Sequence, residues 1–328
     1  MKKLLITGGA GFIGSNFVNY ILDKYKDYKV TVLDALTYAG NLDNLDPVKS
    51  SKNFEFVHGN IMNGQLVNDL MKNTDIVVHF AAESHVARSI YDNLIFFETD
   101  VLGTQTVANA VLNNKYVERF IHISSSEVYG TAETDPMTEE HPLNPRSPYA
   151  SAKAGADRLV YSYHTTYGLP SVILRPFNNY GPRQHLEKVI PRFITSAIMG
   201  KPLTIHGDGS ASRDWLFVLD NCEAIDKIIH SDLDKVNGKA FNIGTGRDIS
   251  VAEIVKIILK SMGKDEKLRT HIDNRPGQVD RHISSTDKIS KIIGWKAKTR
   301  FEDGIIDTIE WYKHNKQWWE KQLWMKNY

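Results

Sequence analysis

The fold is decided near the start of the chain by Lys3-Leu4-Leu5-Ile6-Thr7-Gly8-Gly9-Ala10-Gly11-Phe12-Ile13-Gly14. The first five residues form an apolar run typical of a short strand, and glycines follow at positions 8, 11 and 14. Apolar residues then recur with helical periodicity at positions 12, 13, 17, 18 and 21. A glycine loop between a strand and a helix lets the backbone approach a pyrophosphate, and the helix amino terminus offers free N–H groups. The stretch therefore predicts a dinucleotide-binding loop.

A carboxylate follows where such a loop needs one. Asp34 ends the second apolar run, Val30-Thr31-Val32-Leu33, about twenty residues after Gly14. It would accept hydrogen bonds from the adenosine ribose hydroxyls and repel a 2′-phosphate. We therefore expect NAD, rather than NADP, as the cofactor.

Strand and helix patterns continue to alternate along the chain. Apolar strand patterns lie at 54–57, 76–80, 119–123 and 171–174, and helical patterns lie near 63–72, 91–113 and 148–167. This alternation predicts an α/β fold with a doubly wound parallel sheet of the Rossmann type.

Composition excludes several classes of function. Of the 328 residues, 40 are Lys or Arg and 39 are Asp or Glu, and this net charge of +1 gives no support for binding nucleic acid or a membrane surface. The single cysteine, Cys222, cannot form an intramolecular disulfide, and we expect it to be buried in a helix. The sequence predicts no metal site, no signal peptide and no membrane span, so a cytoplasmic enzyme is expected.

The chemistry is predicted at Ser124-Ser125-Ser126-Glu127, which follows the strand pattern at 119–123. The carboxyl ends of parallel strands are where such sheets bind ligands. Ser147 and Pro148 are typical of a helix start, so Tyr149 and Lys153 would lie four residues apart on one helical face. An ammonium beside a phenol would lower the tyrosine pKa from about 10, so that the tyrosine could take a proton from a sugar hydroxyl. Spacing alone also fits a pair that merely lies on a solvated helix face.

Further motifs follow in order along the chain. They include TYAGNL at 37–42, HFAAESHV at 79–86, EVYG at 127–130, NNYGP at 178–182, EKVIP at 187–191, GDG at 207–209, RDWL at 213–216, NIG at 242–244 and RPG at 275–277. Together with the glycine loop and the Tyr149-x-x-x-Lys153 pair, they resemble the extended short-chain dehydrogenase/reductase superfamily. Within it the chain resembles the nucleotide-sugar 4,6-dehydratases, above all those that act on dTDP-glucose.

The resemblance implies which residues form the site. The implied cofactor residues are Gly8, Gly11, Phe12, Ile13, Gly14, Asp34, Asn60, Ile61, Ala81 and Ala82, together with Tyr149 and Lys153. The implied substrate residues are Ser84, His85, Asn178, Asn179, Lys188, Arg213, Asn242 and Arg275.

The resemblance also implies catalytic roles. Tyr149, supported by Lys153, would take the proton of the sugar 4-hydroxyl while hydride moves from C4 to NAD. Glu127 would remove the C5 proton as water leaves from C6, and hydride would return to C6. Ser125 would hydrogen-bond O4, and Ser126 would stand where the departing hydroxyl needs a proton.

Departures from the family pattern leave alternatives open. Ser126 replaces the usual aspartic acid of the dTDP-glucose enzymes, although the GDP-mannose dehydratases also have serine there. The UDP-glucuronate decarboxylases have a Ser-Glu pair as well, so a decarboxylase or a 4-epimerase is the alternative enzyme, and a non-catalytic NAD-binding protein is the alternative class. Asn60, Ala87 and His282 are further departures, and the last two put the sugar or the base in question.

The resemblance finally implies two domains and a dimer. Residues 1–177 and about 213–245 would form the NAD-binding Rossmann domain, and 178–212 with 246–328 a smaller mixed α/β substrate-binding lobe. In the lobe, helical patterns lie at 251–262 and 301–311, and we expect Trp318, Trp319 and Trp324 to pack the tail. The helices near 91–113 and 148–167 would form a four-helix homodimer interface.

Overall fold

A computed structural model describes residues 1–273 and 281–324. The strands are β1 (Lys2–Thr7), β2 (Tyr28–Asp34), β3 (Phe54–His58), β4 (Ile76–His79), β5 (Arg119–Ile123), β6 (Ser171–Pro176), β7 (Asn178–Tyr180), β8 (Leu203–His206), β9 (Ser212–Phe217), β10 (Ala240–Ile243), β11 (Asp248–Ser250), β12 (Arg269–Ile272) and β13 (Arg281–His282). The α-helices are α1 (Phe12–Lys24), α2 (Gly64–Met71), α3 (Val86–Tyr91), α4 (Leu94–Phe96), α5 (Thr104–Leu112), α6 (Pro148–Tyr167), α7 (Val189–Ile198), α8 (Val218–His230), α9 (Leu233–Val236), α10 (Val251–Met262), α11 (Asp287–Ile293), α12 (Phe301–His314) and α13 (Lys316–Glu320). Short 3-10 turns lie at Leu42–Leu45, Ser126–Tyr129 and Glu266–Leu268, and a π-helical segment lies at Phe97–Gly103.

The main sheet has seven strands in the order β10-β6-β5-β4-β1-β2-β3, all parallel. Because side chains alternate along a strand, β1 supplies both faces. Leu4 and Ile6 pack with α1 and α8 on one face, whereas Leu5 packs with α2, α5 and α6 on the other. Helices on both faces of a parallel sheet confirm the predicted doubly wound α/β fold.

The second part of the molecule is built on two small sheets. In one, β9 lies between β11 and β13 and also pairs with β7; only the β9–β11 pairing is antiparallel. In the other, β8 pairs with β12. Helices α7, α10, α12 and α13 enclose an apolar core beside these strands that includes Phe193, Ile258, Ile305 and Trp319.

Two boundaries differ from the predicted division. Strand β9 belongs to the smaller sheet, whereas positions 213–217 were assigned to the Rossmann part. Ile289 of α11 and the nearby Trp295 pack into the core of the main sheet, although 246–328 was assigned to the lobe. An apolar strand or helix pattern predicts burial, but it does not say against which sheet the element packs.

The helix predicted near 91–113 is also different. In the structure α3 ends at Tyr91, and α4 leads through the π-helical segment into α5. A π segment has one additional residue per turn, which an apolar repeat averaged over a long window does not reveal. Throughout the described residues, every helix is too short or too polar to cross a membrane.

Candidate active site

A cavity of about 540 Å³ lies at the carboxyl ends of β1, β2, β4, β5 and β6, beside the lobe. This is where doubly wound sheets place their ligands. The predicted site residues that line it are Gly8, Gly11, Phe12, Ile13, Gly14, Asp34, Asn60, Ile61, Ala81, Ala82, Ser84, His85, Ser125, Ser126, Glu127, Tyr149, Lys153, Asn178, Asn179, Lys188 and Arg213. Asn242 lies elsewhere, and Arg275 falls outside the described residues.

The glycine loop leaves no room for side chains. Gly8 has a φ of +71°, and a Cβ there would lie 2.5 Å from the backbone nitrogen of Ala81. A Cβ on Gly14 would collide with the carbonyl oxygen of Gly8. Helix α1 begins at Phe12, directly after Gly11, so its first N–H groups face the cavity without a capping side chain. This cradle fits a pyrophosphate.

Asp34 and Asn60 continue the cavity where the adenosine of a dinucleotide would lie. The Asp34 carboxylate accepts one hydrogen bond from the Ala10 N–H (2.9 Å) and one from the Leu36 N–H (2.8 Å). Each oxygen keeps a lone pair for a ribose hydroxyl, and burial raises the pKa of the carboxyl group. The Asn60 Oδ1 accepts from the Met62 N–H, so its amide nitrogen is the group that can reach a base. These residues fit the dinucleotide predicted from the sequence.

Helix α6 carries the predicted catalytic pair. Ser147 caps the helix by accepting a hydrogen bond from the Ala150 N–H (3.1 Å), and Pro148 is its first residue. Four residues separate Tyr149 from Lys153, whose ammonium donates to the carbonyl oxygen of Ile123 (2.7 Å). Strand β5 therefore fixes the lysine head group.

The predicted lowering of the tyrosine pKa is corrected for the protein alone. Burial raises the pKa of Tyr149 far above its ordinary value; a hydrogen bond with Ser125 lowers it, and the charges of Asp100 and Glu127 raise it further. Burial also lowers the pKa of Lys153, which Asp100 and Asp157 raise. Desolvation is thus the largest influence on the pKa of the phenol.

The loop after β5 holds the remaining catalytic candidates against Tyr149. The Ser125 hydroxyl lies near enough to the phenol to lower its pKa, and its Oγ accepts from the N–H of Glu127 (3.2 Å). Ser126 is buried, whereas Glu127 is half-buried in the 3-10 turn at the cavity wall. The loop and α6 therefore bring Ser125, Glu127 and Tyr149 together.

A buried polar network supports this loop from behind. Ser124 donates to Asp157 of α6 (2.8 Å), and Arg175 of β6 binds the same carboxylate through two nitrogens (2.9 and 3.0 Å). Arg175 also donates to the hydroxyl of Tyr129 (2.9 Å), which closes the 3-10 turn. The network ties α6, β6 and both ends of the loop into one unit.

Asn242 belongs to this network, which corrects its assignment as a substrate-binding residue. It is fully buried, its Oδ1 accepts from the Tyr129 hydroxyl (2.7 Å), and its amide nitrogen donates to the Met137 carbonyl (3.0 Å). His282 is likewise fully buried outside the cavity wall, with its Nε2 2.5 Å from the carbonyl oxygen of Gly130. The departure at His282 therefore lies beneath the Glu127 loop, whereas Ala87 does line the cavity.

Glu187 is a cavity residue that was not among the predicted site residues. Its carboxylate lies 3.1 Å from the Lys188 ammonium and 3.5 Å from both His85 and His185, and it accepts from the Tyr38 hydroxyl (3.3 Å). Burial raises its pKa, but Lys188 and the histidines outweigh burial and hold that pKa below its usual value. Burial also lowers the pKa of His85 to about 4. The EKVIP motif contains Glu187, but Lys188 is the one residue of that motif that was predicted to bind the substrate.

The lobe and the C-terminal helix close the remaining walls. Thr204, His206, Arg213 and Trp215 line the side formed by β8 and β9. Trp318 of α13 also lines the cavity and donates from its indole nitrogen to Asn44 (2.9 Å), beside the glycine loop.

Of the three tail tryptophans expected to pack, two are buried. Trp318 and Trp319 lie in the lobe core, whereas the side chain of Trp324 is 59 % exposed. Among residues 1–273 and 281–324 the structure brings together no set of three His, Cys, Asp or Glu side chains suited to a metal ion.

Comparison with known proteins identifies the family. Residues 5–308 match the family model described as GDP-mannose 4,6 dehydratase. The low-salt glycan biosynthesis protein Agl12 of Haloferax volcanii is 46% identical over 310 residues, covering 94% of this chain and 98% of Agl12. A dTDP-glucose 4,6-dehydratase of Streptomyces niveus is 41% identical over 322 residues, covering 97% of this chain and 95% of the relative.

A solved structure agrees with these matches. The crystal structure of DesIV, a dTDP-glucose 4,6-dehydratase from Streptomyces venezuelae with NAD and TYD bound, is 42% identical with a TM-score of 0.93, covering 98% of this chain and 99% of DesIV. This chain therefore belongs to the nucleotide-sugar 4,6-dehydratase family that the GDP-mannose 4,6-dehydratase model describes, within the extended short-chain dehydrogenase/reductase superfamily that its motifs predicted.

Proposed function

We propose that this protein is an NAD-dependent nucleotide-sugar 4,6-dehydratase that acts on dTDP-glucose. The observation that carries the proposal is that Tyr149, Lys153 and Glu127 line one cavity together with the glycine cradle. A redox cofactor, a proton acceptor for a hydroxyl and a second base are what the reaction needs. Relatives about 40% identical over nearly the whole chain are dTDP-glucose 4,6-dehydratases, which supports the choice of sugar nucleotide.

The first stage is oxidation at C4. When bound, NAD would accept the C4 hydride, return it later to C6, and place a positive charge beside the phenol. Tyr149 takes the proton of the 4-hydroxyl, and the Lys153 ammonium favours the resulting charge distribution. Ser125 bonds the oxygen on C4 and steadies it while a carbonyl forms.

The second stage is loss of water. The 4-ketone acidifies the C5 proton, and Glu127 removes it as the hydroxyl leaves C6. Ser126 stands where an acid would protonate that hydroxyl, and a serine hydroxyl is too weak an acid for this step. Glu127 therefore gives its newly acquired proton to the leaving hydroxyl. As hydride returns to C6, C5 takes up the proton that Tyr149 had removed from the 4-hydroxyl, and both side chains are restored. The substrate loses one water, and no net oxidant is consumed.

The remaining cavity residues bind the nucleotide diphosphate. Lys188, which donates to the Ser84 carbonyl (2.9 Å), and Arg213 supply positive charge, and Asn178 and Asn179 line the same cavity. Arg275 is proposed for the same role on its motif alone. We propose that Ser84 and His85 contact the sugar, and that Asn60, Ile61, Ala81 and Ala82 contact the cofactor.

Mass spectrometry of the protein incubated separately with five nucleotide sugars tests the function. We expect dTDP-glucose to lose one water, about 18 mass units, through the elimination described above. The other four would be UDP-glucose, UDP-N-acetylglucosamine, GDP-mannose and UDP-glucuronate. Loss of water from another sugar alone would correct the nucleotide, and loss of carbon dioxide from UDP-glucuronate alone would replace the dehydratase by a decarboxylase.

We also propose a homodimer. Its interface would be formed by the helical stretch from α3 to α5 and by α6. Large apolar side chains are exposed there: Ile90 (54%), Tyr91 (90%), Leu94 (63%), Phe97 (40%), Leu102 (46%) and Tyr161 (47%). A patch of this kind is typical of a protein interface. The stretch from α3 to α5 and helix α6, contributed by each of two copies, would form a four-helix bundle.

A cytoplasmic location is proposed for the enzyme. The chain has one cysteine, which is buried, so it lacks the intramolecular disulfides common in secreted proteins.

A further inference from the structure

A carboxylate without a role in the reaction lies behind the catalytic pair. Asp100 sits in the π-helical segment and is 1% exposed. We propose that Asp100 is a positioning residue, whose carboxylate is the counter-charge that holds Lys153 as an ammonium beside Tyr149. The proposal rests on the roles proposed above for Tyr149 and Lys153.

The Asp100 side chain is fixed at one oxygen and open at the other. Its Oδ1 accepts from the backbone N–H of Glu83 (2.7 Å), directly after Ala82 in the cavity wall. Its Oδ2 is buried and has no hydrogen-bond partner among the described residues. A buried carboxylate oxygen without a donor is costly unless a cation lies near it.

The backbone of Asp100 is also fixed. Its carbonyl oxygen accepts a hydrogen bond from the hydroxyl of Thr104 (2.5 Å). The Thr104 oxygen must then accept from the Nε2 of His79, 2.9 Å away, and the other ring nitrogen of His79 lies 2.6 Å from the hydroxyl of Thr7. Neutral His79 can satisfy this chain with its proton on Nε2. The π segment is thereby tied to β4 and β1.

The same segment packs directly on α6. The ring of Phe96, which precedes the segment, meets the Tyr149 ring edge-on at 6.3 Å between centroids. A Cβ on Gly155 of α6 would lie 3.2 Å from a methyl group of Val101. The segment that carries Asp100 therefore packs on α6, with Phe96 against Tyr149 itself. A π segment inside a helix is often associated with a functional site.

Asp100 and Lys153 act on each other electrostatically. Burial raises the pKa of Asp100 to about 7, and the Lys153 charge lowers it. Burial lowers the pKa of Lys153, and the Asp100 charge is the largest influence that opposes this. Above about pH 7 Asp100 is ionised, and its negative charge then favours the protonated form of Lys153.

The other charged groups near Lys153 do not replace Asp100. Asp157 on the same helix is neutralised by Arg175 and Arg158, which hold its pKa well below its usual value. From β4 and β5, His79 and His122 face Lys153, and burial keeps both uncharged at neutral pH. Two other carboxylates affect different groups: the charge of Glu83 raises the pKa of Asp100, and the charge of Glu127 raises the pKa of Tyr149.

The variant Asp100→Asn tests the proposal, because an amide oxygen can still accept from the Glu83 N–H while the charge is removed. NAD affinity and kcat/KM would both be measured between about pH 6 and pH 10, because loss of the Lys153 proton on the alkaline side would lower both quantities. The alkaline limit is the pH above which NAD affinity and kcat/KM fall to half of their maximum. We expect Asp100→Asn to lower this limit by about one pH unit or more. Its NAD affinity near neutral pH should stay within about threefold of the wild-type value.

Glu98→Gln is the matched control, since it removes a carboxylate from the same π segment without touching the cavity wall. Its alkaline limit should stay at the wild-type pH. If Asp100→Asn leaves the limit unmoved, even with lower activity at every pH, the proposal is overturned. If the wild-type protein converts no nucleotide sugar but the limit for NAD binding still moves, the proposed function fails and the role of Asp100 stands.

Discussion

Glu127 is the residue whose replacement separates the two stages of the reaction. Glu127→Gln keeps the size of the side chain and removes the base, so C4 oxidation should continue while the C5 proton stays in place. We expect product formation to fall by at least about a hundredfold, within the usual range for a general base. Reduced nicotinamide should accumulate on the protein and be visible by its absorbance.

The control for this variant is Glu140→Gln, a change of an exposed carboxylate outside the cavity wall. It should convert substrate at the wild-type rate. Normal product formation by Glu127→Gln would remove Glu127 from its proposed role.

Single residues also show what the sequence could and could not predict. Gly8, Asp34, Tyr149 and Lys153 could be placed because each belongs to a short-range pattern of strand, loop and helix. Asp100 lies inside an apolar helical stretch, and its proposed role depends on the charge of Lys153 on a helix much later in the chain, which no local pattern encodes. Asn242 was assigned to the substrate from its motif, but the motif does not say that Tyr129 and Met137 would occupy its amide group.

Helix α6 depends on the cap that sets its first turn. Ser147→Ala would remove the hydrogen bond to the Ala150 N–H, and we expect a loss of about 1 kcal/mol in the free energy of unfolding. Urea unfolding at one fixed protein concentration would measure it as a lower midpoint with an unchanged slope. Ser147→Asp, which can still cap the helix, should recover most of the loss, and equal losses in both variants would contradict the capping argument.

For helices and strands, the sequence predicted that an element exists better than it predicted whether the element is continuous. Apolar runs and helical periodicity located β1 to β6 and α6, because burial on a sheet imposes those periods. The π segment within the predicted helix at 91–113, and the assignment of β9 to the smaller sheet, depend on which neighbours pack against them. A one-dimensional pattern carries no information about those neighbours.

The proposed dimer makes a prediction about the whole molecule. Leu94→Glu would place a charge among the exposed apolar side chains of the proposed interface, and burying that charge is unfavourable. We expect the dimer dissociation constant to rise at least about tenfold, which corresponds to about 1.4 kcal/mol. Light scattering after size-exclusion chromatography at several concentrations would show it. Ile306→Glu, an equivalent change on α12, should leave the mass unchanged; a wild-type protein that is monomeric throughout would refute the dimer.

Acid stability is a second property of the whole molecule. Burial, followed by the nearby Lys153 charge, lowers the pKa of His79 to about 3 from an unfolded value near 6.5. The unfolded chain therefore binds the extra proton first, so stability is fully present above about pH 6.5 and is lost as pH falls toward 3. The full loss from this one group is on the order of 5 kcal/mol.

In wild type, unfolding binds up to one additional proton across that pH range because of His79. In His79→Gln this proton uptake is lost, so the unfolding free energy should fall less steeply with decreasing pH. Urea unfolding at several pH values would measure the slope. His314→Gln, a change at an exposed histidine on α12, is the control and should keep the wild-type slope. Identical slopes in wild type and His79→Gln would show that His79 is not the group responsible.

Trp318, held against Asn44 at the cavity wall, has an optical consequence. Of the chain's six tryptophans, Trp318 and Trp215 line the cavity, on walls contributed by α13 and by β9. Indole emission overlaps the absorption of reduced, but not of oxidised, nicotinamide. Tryptophan fluorescence should therefore fall whenever the bound nicotinamide is reduced and recover when it is reoxidised. A stopped-flow trace of unlabelled protein should then follow the catalytic cycle.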